Sequence, residues 1–409
     1  MTIATNILIA LLLVYLAWAV LYQLTYAIAG HFFKKEKGLA ANTIRRFAVL
    51  IPAYKEDAVI LGTAKASLKQ NYPACNYDVF VIADQLKPET TGKLEQTGVH
   101  VVKVEFEKST KSKSLNVALA QAGNLFDAVV VLDADNHMHP DFLLHINETM
   151  NKNHLAVQGC RAPKNKNNGL SVLDGVSEAV NNHLLCRGHR ALGFSARLAG
   201  SGMAFEFGLF KQVMKTVDAL GGFDKELELK LTQLGVKIAY APAAIVLDEK
   251  VDNAGTFARQ RGRWLAAQYR YGKRFALPAL SALLLKGNVD FFNKTLQMAL
   301  PPRLVLPFAL AMGTLISLQV QPVFALFMGG LLLGNLTSFA IAIPREYWKP
   351  DFFKSLLHVP LALLSTLKAL TLIPAAAKQF LHTAHGSVAT ASVALAPVEG
   401  KFRDDHRIT

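Results

Sequence analysis

Val129-Val130-Val131-Leu132-Asp133-Ala134-Asp135 decides how the rest of this chain is read: four apolar residues, three of them β-branched, run straight into two carboxylates at i and i+2. Such a run fits a buried strand. Alternation along an extended chain would send the two carboxylates to opposite faces. A bend after the strand lets Asp135 reach a metal while Asp133 contacts a ligand or supports it. A hard cation held by one or two carboxylates plus substrate phosphates is the usual Mg²⁺ or Mn²⁺ arrangement. An Asp-x-Asp also occurs at ordinary polar strand ends, so the surroundings have to decide.

Working outward, short apolar runs alternate with helical patterns from Phe47 to Asp252. Strands are expected at Phe47–Ile51, Tyr77–Ala83, Val99–Val104, Ala128–Leu132, Leu155–Val157 and Lys237–Ala241, and Ile60, Leu61, Ala64 and Leu68 repeat at helical spacing between the first two. This alternation predicts an α/β fold with a mostly parallel sheet, in which ligands gather beyond the carboxyl ends of the strands. Acidic residues stand at three of those ends: Glu56 after Pro52-Ala53-Tyr54-Lys55, Asp84 after Val81-Ile82-Ala83, and the Asp133/Asp135 pair. In a parallel sheet they converge on one edge.

The chain has 409 residues, 52% of them apolar, and a mean hydropathy of +0.26, which is too apolar for an ordinary soluble protein. The excess is concentrated at the two ends. Ile3 to Gly30 carries no charge and is long enough to cross a bilayer. A cleaved signal peptide is disfavoured, because no positive region precedes it and the apolar run is too long. Lys34, Lys35, Lys37, Arg45 and Arg46 follow and place this end in the cytoplasm by the positive-inside tendency, with the amino terminus outside. Residues 299–320 and 322–343, split by Gln321-Pro322, read as a helical hairpin. A last segment, 354–375, carries His358, Pro360 and Lys368 and is expected to cross, re-enter or lie in the interface.

Lys and Arg total 44 against 30 Asp and Glu, a surplus suited to cytoplasmic flanks and to anionic lipid or substrate. No basic run with interleaved aromatics favours nucleic acid. Cys75, Cys160 and Cys186 lie far apart, which fits reduced thiols and neither a zinc site nor a disulfide framework.

Two further stretches carry chemistry. Lys108-Ser109-Thr110-Lys111-Ser112-Lys113-Ser114-Leu115-Asn116 precedes a helical pattern, where Lys113 and helix amides are expected to hold a phosphate. Gln260-Arg261-Gly262-Arg263-Trp264 lies in a helical pattern, with Gln260, Arg263 and Trp264 on one face; a guanidinium there can neutralise a departing diphosphate and an indole can wall a sugar ring. An interfacial helix with basic and aromatic anchors would show the same residues. His137 and His139 fit turn chemistry better than metal binding. Gly200-Ser201-Gly202-Met203-Ala204-Phe205 permits close backbone approach or marks a loop.

The ordered set Pro52-Ala53-Tyr54-Lys55-Glu56, Asp84, Lys113 to Asn116, Asp133-Ala134-Asp135, Gly200-Ser201-Gly202 and Gln260-x-x-Arg263-Trp264 resembles the membrane-bound family 2 glycosyltransferases, the cellulose, chitin and hyaluronan synthase-like group. The resemblance covers roughly residues 45–270 and the flanking apolar segments. It implies a GT-A fold, an inverting mechanism, a UDP-sugar donor and a metal on the Asp-x-Asp. Pro52, Tyr54, Glu56, Asp84 and Lys113 then serve the donor, Asp133 and Asp135 the ribose and the metal-diphosphate, and Gln260, Arg263 and Trp264 the diphosphate and acceptor end. Phe380-Leu381-His382-Thr383-Ala384-His385 faintly resembles the family's gating loop.

One departure stands out. The family's Thr-Glu-Asp, whose Asp is the general base, is replaced by Asp224-Lys225-Glu226. Alignment on the following Leu-Glu-Leu puts Glu226 at the base position, with Asp224 as second candidate. Helix-start acids favoured by the dipole are the plain alternative.

The domain expectation is an amino-terminal span over 1–33, a cytoplasmic catalytic domain over 45–255, interfacial helices over 256–298, two or three membrane segments over 299–378 and a loose tail over 379–409. The functional expectation is sugar transfer from a nucleotide-diphosphate sugar to a lipid or glycan hydroxyl at the plasma (inner) membrane. The rivals are a binding or assembly protein that kept the donor fold without turnover, and a transporter, for which there are few helices. Under the enzyme reading Glu56, Asp84, Asp135 and Arg263 share one cavity.

Overall fold

The structure is a computed structural model, and it describes residues 3–34, 43–219 and 221–376. An eight-stranded sheet organises the middle of the chain: β1 (Phe47–Tyr54), β2 (Tyr77–Asp84), β3 (His100–Val104), β4 (Ala128–Val131), β5 (His137–Met138), β6 (Ala156–Pro163), β7 (Met203–Glu206) and β8 (Ile238–Asp248), in the order β3-β2-β1-β4-β7-β6-β8-β5. Strands β1 to β4 are parallel, with Phe47 paired to both Tyr77 and Ala128, so the carboxyl ends of β1, β2 and β4 reach one edge. The sheet is mixed and mostly parallel, as the alternating pattern predicts.

Strand alternation explains the two cores. Ala48, Leu50, Val129 and Val131 pack on one face against Leu115 and Leu119, Phe205, Phe210 and Leu227. Phe47, Val49, Ile51, Val79 and Val81 pack on the other against Ile60, Ala64 and Phe142. Each fully buried Leu, Ile or Phe of these layers contributes about 1.5–3 kcal/mol, and helices therefore cover both faces.

Two strands escape the sequence pattern. β7 runs antiparallel between β4 and β6, inside the stretch read as an approach or loop. Only four residues long, it follows Gly200 (φ 85°) and Gly202 (φ 64°), a turn that places the Gly202 N–H on the Val131 carbonyl at 2.9 Å. At Gly202 a Cβ would also stand 3.0 Å from Val246. β5 is a two-residue edge strand after Asp135. The last strand extends past the expected Ala241 to Asp248, and β6 past Val157 to Pro163, because their ladder resumes beyond a bulge at Gly159/Cys160.

Three helical segments are long and apolar enough to cross a bilayer: Ile3–Phe32, Pro322–Ala342 and Pro350–Thr371. Val305–Val320 is apolar but shorter, and it forms the expected hairpin with Pro322–Ala342, Gly313 facing Met328. The first helix packs on Pro322–Ala342, where Asn335 and Gln23 hydrogen-bond at 3.4 Å in an otherwise apolar contact. It also packs on the π-helical turn Asn182–Gly188, where Gly188 lies against the Tyr26 carbonyl. Leu8, Leu11, Leu315, Leu318, Val323 and Leu326 are mostly exposed, as on a lipid-facing surface.

The last segment breaks at a 3₁₀ turn, Leu356–His358, and its second part, Val359–Thr371, lies along the 33-residue helix Ala254–Lys286. The tail over 379–409 and Phe380 to His385 lie outside the described residues.

Candidate active site

Two strand ends turn sharply where the sheet meets the site. Lys55 (φ 57°) follows β1 and Gln85 (φ 54°) follows β2, both left-handed at non-glycine residues, and the Lys55 N–H donates to the Asp84 carbonyl at 3.1 Å. Strain of this kind, where the sheet delivers acidic groups, is characteristic of functional sites. Asp84 is 1% exposed, no well-aligned donor among the described residues reaches either carboxylate oxygen, and burial pushes its carboxyl above the usual carboxylate range, tempered by nearby Ser109.

After β4 the chain bends as the i, i+2 spacing requires. Ser201 Oγ accepts from the Asp133 N–H at 2.9 Å. With the Asn136 amide nitrogen turned toward the carboxylates, it donates to Asp135 at 3.0 Å and Asp248 at 3.1 Å, and its oxygen accepts from Ser201 Oγ at 2.7 Å. Asp133 is also paired with the Lys111 ammonium, which donates to the Gly200 carbonyl at 2.8 Å. At the end of β8, Asp248 binds Arg161 and Lys250, each at 2.6 Å, and these two cations hold its carboxyl down at about 2.

One cavity of about 720 Å³ joins these groups. Pro52, Tyr54, Glu56, Asp84, Asp133, Asp135, Asp224, Gln260, Arg263 and Trp264 all line it. Glu56, Asp84, Asp135 and Arg263 are thus gathered in a single space. The same cavity continues past the sheet edge to Leu184, Pro302, Leu336 and Phe339 among the apolar helices.

On the Ala254–Lys286 helix, burial pulls the Arg263 guanidinium below its usual value while Asp133 opposes the shift. Gln260 Oε1 is buried without a hydrogen-bond partner among the described residues. The Arg261 guanidinium lies 4.6 Å from the Trp264 ring and pairs with Asp174 at 2.7 Å. Gly262 allows the closeness of the last helix: a Cβ there would stand 3.2 Å from Leu372 and 3.3 Å from the Ala369 carbonyl.

Two of the expected residues stand away from the cavity. Lys113 is exposed, donates to the Lys108 carbonyl at 3.0 Å and does not line the cavity. The Thr110 N-cap sets the phase of the Lys111–Gln121 helix so that Lys111, its first residue, reaches Asp133 instead. Glu226 is 0% exposed, absent from the cavity wall, and paired with Arg274 at 3.0 Å and Lys230 at 3.4 Å. Asp224 faces the cavity. Arg161 and Asp248 were not foreseen, since β6 and β8 are longer than their apolar runs; Lys111 stood in the quoted basic stretch.

Among the described residues no group of three or more His, Cys, Asp or Glu side chains is arranged to hold a metal by itself. Asp133 and Asp135 offer two carboxylates in the cavity. That number fits a Mg²⁺- or Mn²⁺-type site completed by substrate phosphates. The Lys111 pairing shows that this corner already accommodates positive charge. His137 stands apart from the cavity wall, and burial with Lys164 beside it lowers its pKa to about 4.

The sequence model of the family described as Glycosyltransferase like family 2 matches residues 45–267. The chain is 24% identical over 267 residues to the "Probable glycosyltransferase YdaM" of Bacillus subtilis (strain 168), covering 61% of this chain and 63% of that one. It is 24% identical over 261 residues to a Beta-monoglucosyldiacylglycerol synthase of Nostoc sp., covering 60% and 53%. The chain thus spans between 53% and 63% of the length of these relatives. Among solved structures it resembles the mannosyltransferase PcManGT from Pyrobaculum calidifontis in complex with GDP-Man and Mn²⁺, at 18% identity and a TM-score of 0.47, over 80% of this chain and 99% of that one.

Proposed function

Since this chain belongs to glycosyltransferase-like family 2 and carries the GT-A arrangement of that family, we propose that it moves a sugar, with inversion, from a nucleotide-diphosphate sugar to a hydroxyl of a lipid or glycan acceptor. The observation that carries this reading is the single cavity in which Asp84, Asp133, Asp135, Asp224 and Arg263 meet and which continues to the apolar helices.

Each residue has a task that follows from its surroundings. The unmet acceptors of Asp84, with Pro52, Tyr54 and Glu56 beside it, suit the ring N–H of a nucleobase such as uracil, which favours a UDP-sugar. Asp133 and Asp135 would hold a divalent cation together with the diphosphate. Such a cation supplies Lewis-acid charge to the leaving group. Arg263, partly desolvated, faces the same charge. Asp224 accepts the acceptor hydroxyl's proton as the new C1–O bond forms; the C1–O bond to phosphate breaks and its electron pair leaves with the nucleoside diphosphate. Trp264 walls the sugar.

The chain's placement is part of the proposal. An amino-terminal span, a catalytic domain over about residues 45–255, the Ala254–Lys286 helix at the interface and carboxyl-terminal membrane segments would set the cavity on the cytoplasmic face of the plasma (inner) membrane, with Arg45 and Arg46 on that side. The test is release of UDP by purified membranes from a panel of UDP-sugars, with and without Mg²⁺ or Mn²⁺. We expect metal-dependent release that D135A abolishes. Nucleotide binding without release from any donor would leave a binding protein, and turnover in D135A would remove the metal role.

A further inference from the structure

The cavity holds more positive charge than the donor site uses. Arg197 and Lys225 line it, yet neither side chain makes a hydrogen bond or ion pair with any described residue. Arg303 lines it too; its guanidinium is hydrogen-bonded to the neutral Asn181 and lies within electrostatic reach of Arg197 and Arg261. Behind them Lys294 is 0% exposed, with no hydrogen bond to its ammonium among the described residues and an ion pair to Glu228 at 3.6 Å. The charge of Arg261 is taken by Asp174. Burial and the neighbouring Arg197 and Lys294 lower the Lys225 ammonium, against the pull of Asp224.

Cations brought together this closely in a partly desolvated space repel one another, and a partner of opposite charge relieves both that repulsion and the desolvation. Of the acids within electrostatic reach, Asp224 is committed to proton transfer and Glu178 is shared with Arg161 and Lys250. The position of the cluster narrows the partner further: the adjoining walls, Leu184, Leu304, Leu336 and Phe339, are apolar and belong to or abut the membrane helices. A ligand satisfying both surfaces has an anionic head and a hydrocarbon tail.

We propose that Arg197, Lys225 and Arg303 form an acceptor subsite for the phosphate of a lipid, so that the acceptor is a phosphate-bearing amphiphile rather than a neutral lipid. The inference rests on the glycosyl-transfer reading above. The phosphate is an anchor here; the attacking group remains a hydroxyl whose proton goes to Asp224, with the bond changes already described. A planar guanidinium can take two phosphate oxygens at once, which makes Arg197 the principal contact.

The experiment uses the full chain in detergent and follows tryptophan fluorescence, to which Trp264 in the cavity wall contributes, as decyl phosphate or decanol is added. Charge-assisted hydrogen bonds predict that the phosphate binds about 10- to 100-fold more tightly than the alcohol. R197Q should remove most of that preference while UDP affinity stays within about twofold, because the Arg197 side chain has no hydrogen bond or ion pair to a described residue to lose. Equal affinity for the two amphiphiles overturns the proposal, as does a preference that survives R197Q and K225Q together. Inorganic phosphate competing as tightly as decyl phosphate would make this a site for free anions and overturn the lipid assignment. Should a variant fail to fold, the two amphiphiles still decide the matter on the unaltered chain. A phosphate preference without UDP release from any donor would sink the catalytic reading and leave the site standing; UDP release with decanol bound equally well would do the reverse.

Discussion

Asp224 and Glu226 stand two positions apart in the first turn of the Phe223–Gln233 helix, so their side chains diverge by about 200° around its axis. One reaches the cavity and the other reaches Arg274 and Lys230. D224N is therefore expected to lower turnover by about 10²- to 10⁴-fold while leaving UDP binding intact, measured by UDP release beside calorimetric titration. E226Q should keep turnover within about tenfold and instead lower stability by about 1–3 kcal/mol, seen as an earlier thermal unfolding. The reverse pattern would return the proton-transfer role to Glu226. A second pair separates in the same way. K111M removes the cation from Asp133 and should cost about 10- to 100-fold in kcat/KM, whereas K113M, altering an exposed side chain, should stay near the unaltered rate.

At the scale of elements, the Gln260-x-x-Arg263-Trp264 helix is held by what lies on its other side. Gly262 admits the Val359–Thr371 segment and the residues just after it so closely that even a Cβ would crowd Leu372 and the Ala369 carbonyl, and a branched side chain more so. G262V is expected to push the two helices apart, raise protease sensitivity of the carboxyl-terminal segment and reduce UDP release by about tenfold or more through misplacement of Arg263. Unchanged release would mean that the packing does not position the guanidinium. The strands show why their existence was legible and their full extent was not. β1, β2 and β4 are apolar on both faces and announce themselves as runs. β6 and β8 begin as such runs and then continue into Arg161 and Asp248, polar residues whose strand conformation is fixed by a partner chain segment after a bulge. β7 is short and follows two glycines, so local composition reads as loop.

Across the whole molecule, charge is compensated over long distances in sequence, and acid should expose this. Asp248 is held near pKa 2 by Arg161 and Lys250, below its ordinary 3.8. A depressed carboxyl adds stability above the ordinary value, and that stability is lost as pH falls through the folded one, so the contribution of about 2 kcal/mol should fade between about pH 4 and 2. D248N should flatten that part of an acid-unfolding curve; a curve of unchanged shape would show that the triad does not act as a unit.

The sequence alone determined the class of fold, the apolar ends and the acidic strand termini, because each is a local property: periodicity, an uncharged run, a carboxylate after a β-branched stretch. Tertiary structure decided which member of each close pair enters the cavity, Asp224 or Glu226, Lys111 or Lys113. It also brought Arg197, Lys225 and Arg303 to one wall from three separate segments. Those outcomes depend on the phase of a helix set by its cap and on contacts between residues distant in the chain, and neither is written in the neighbourhood of the residue concerned.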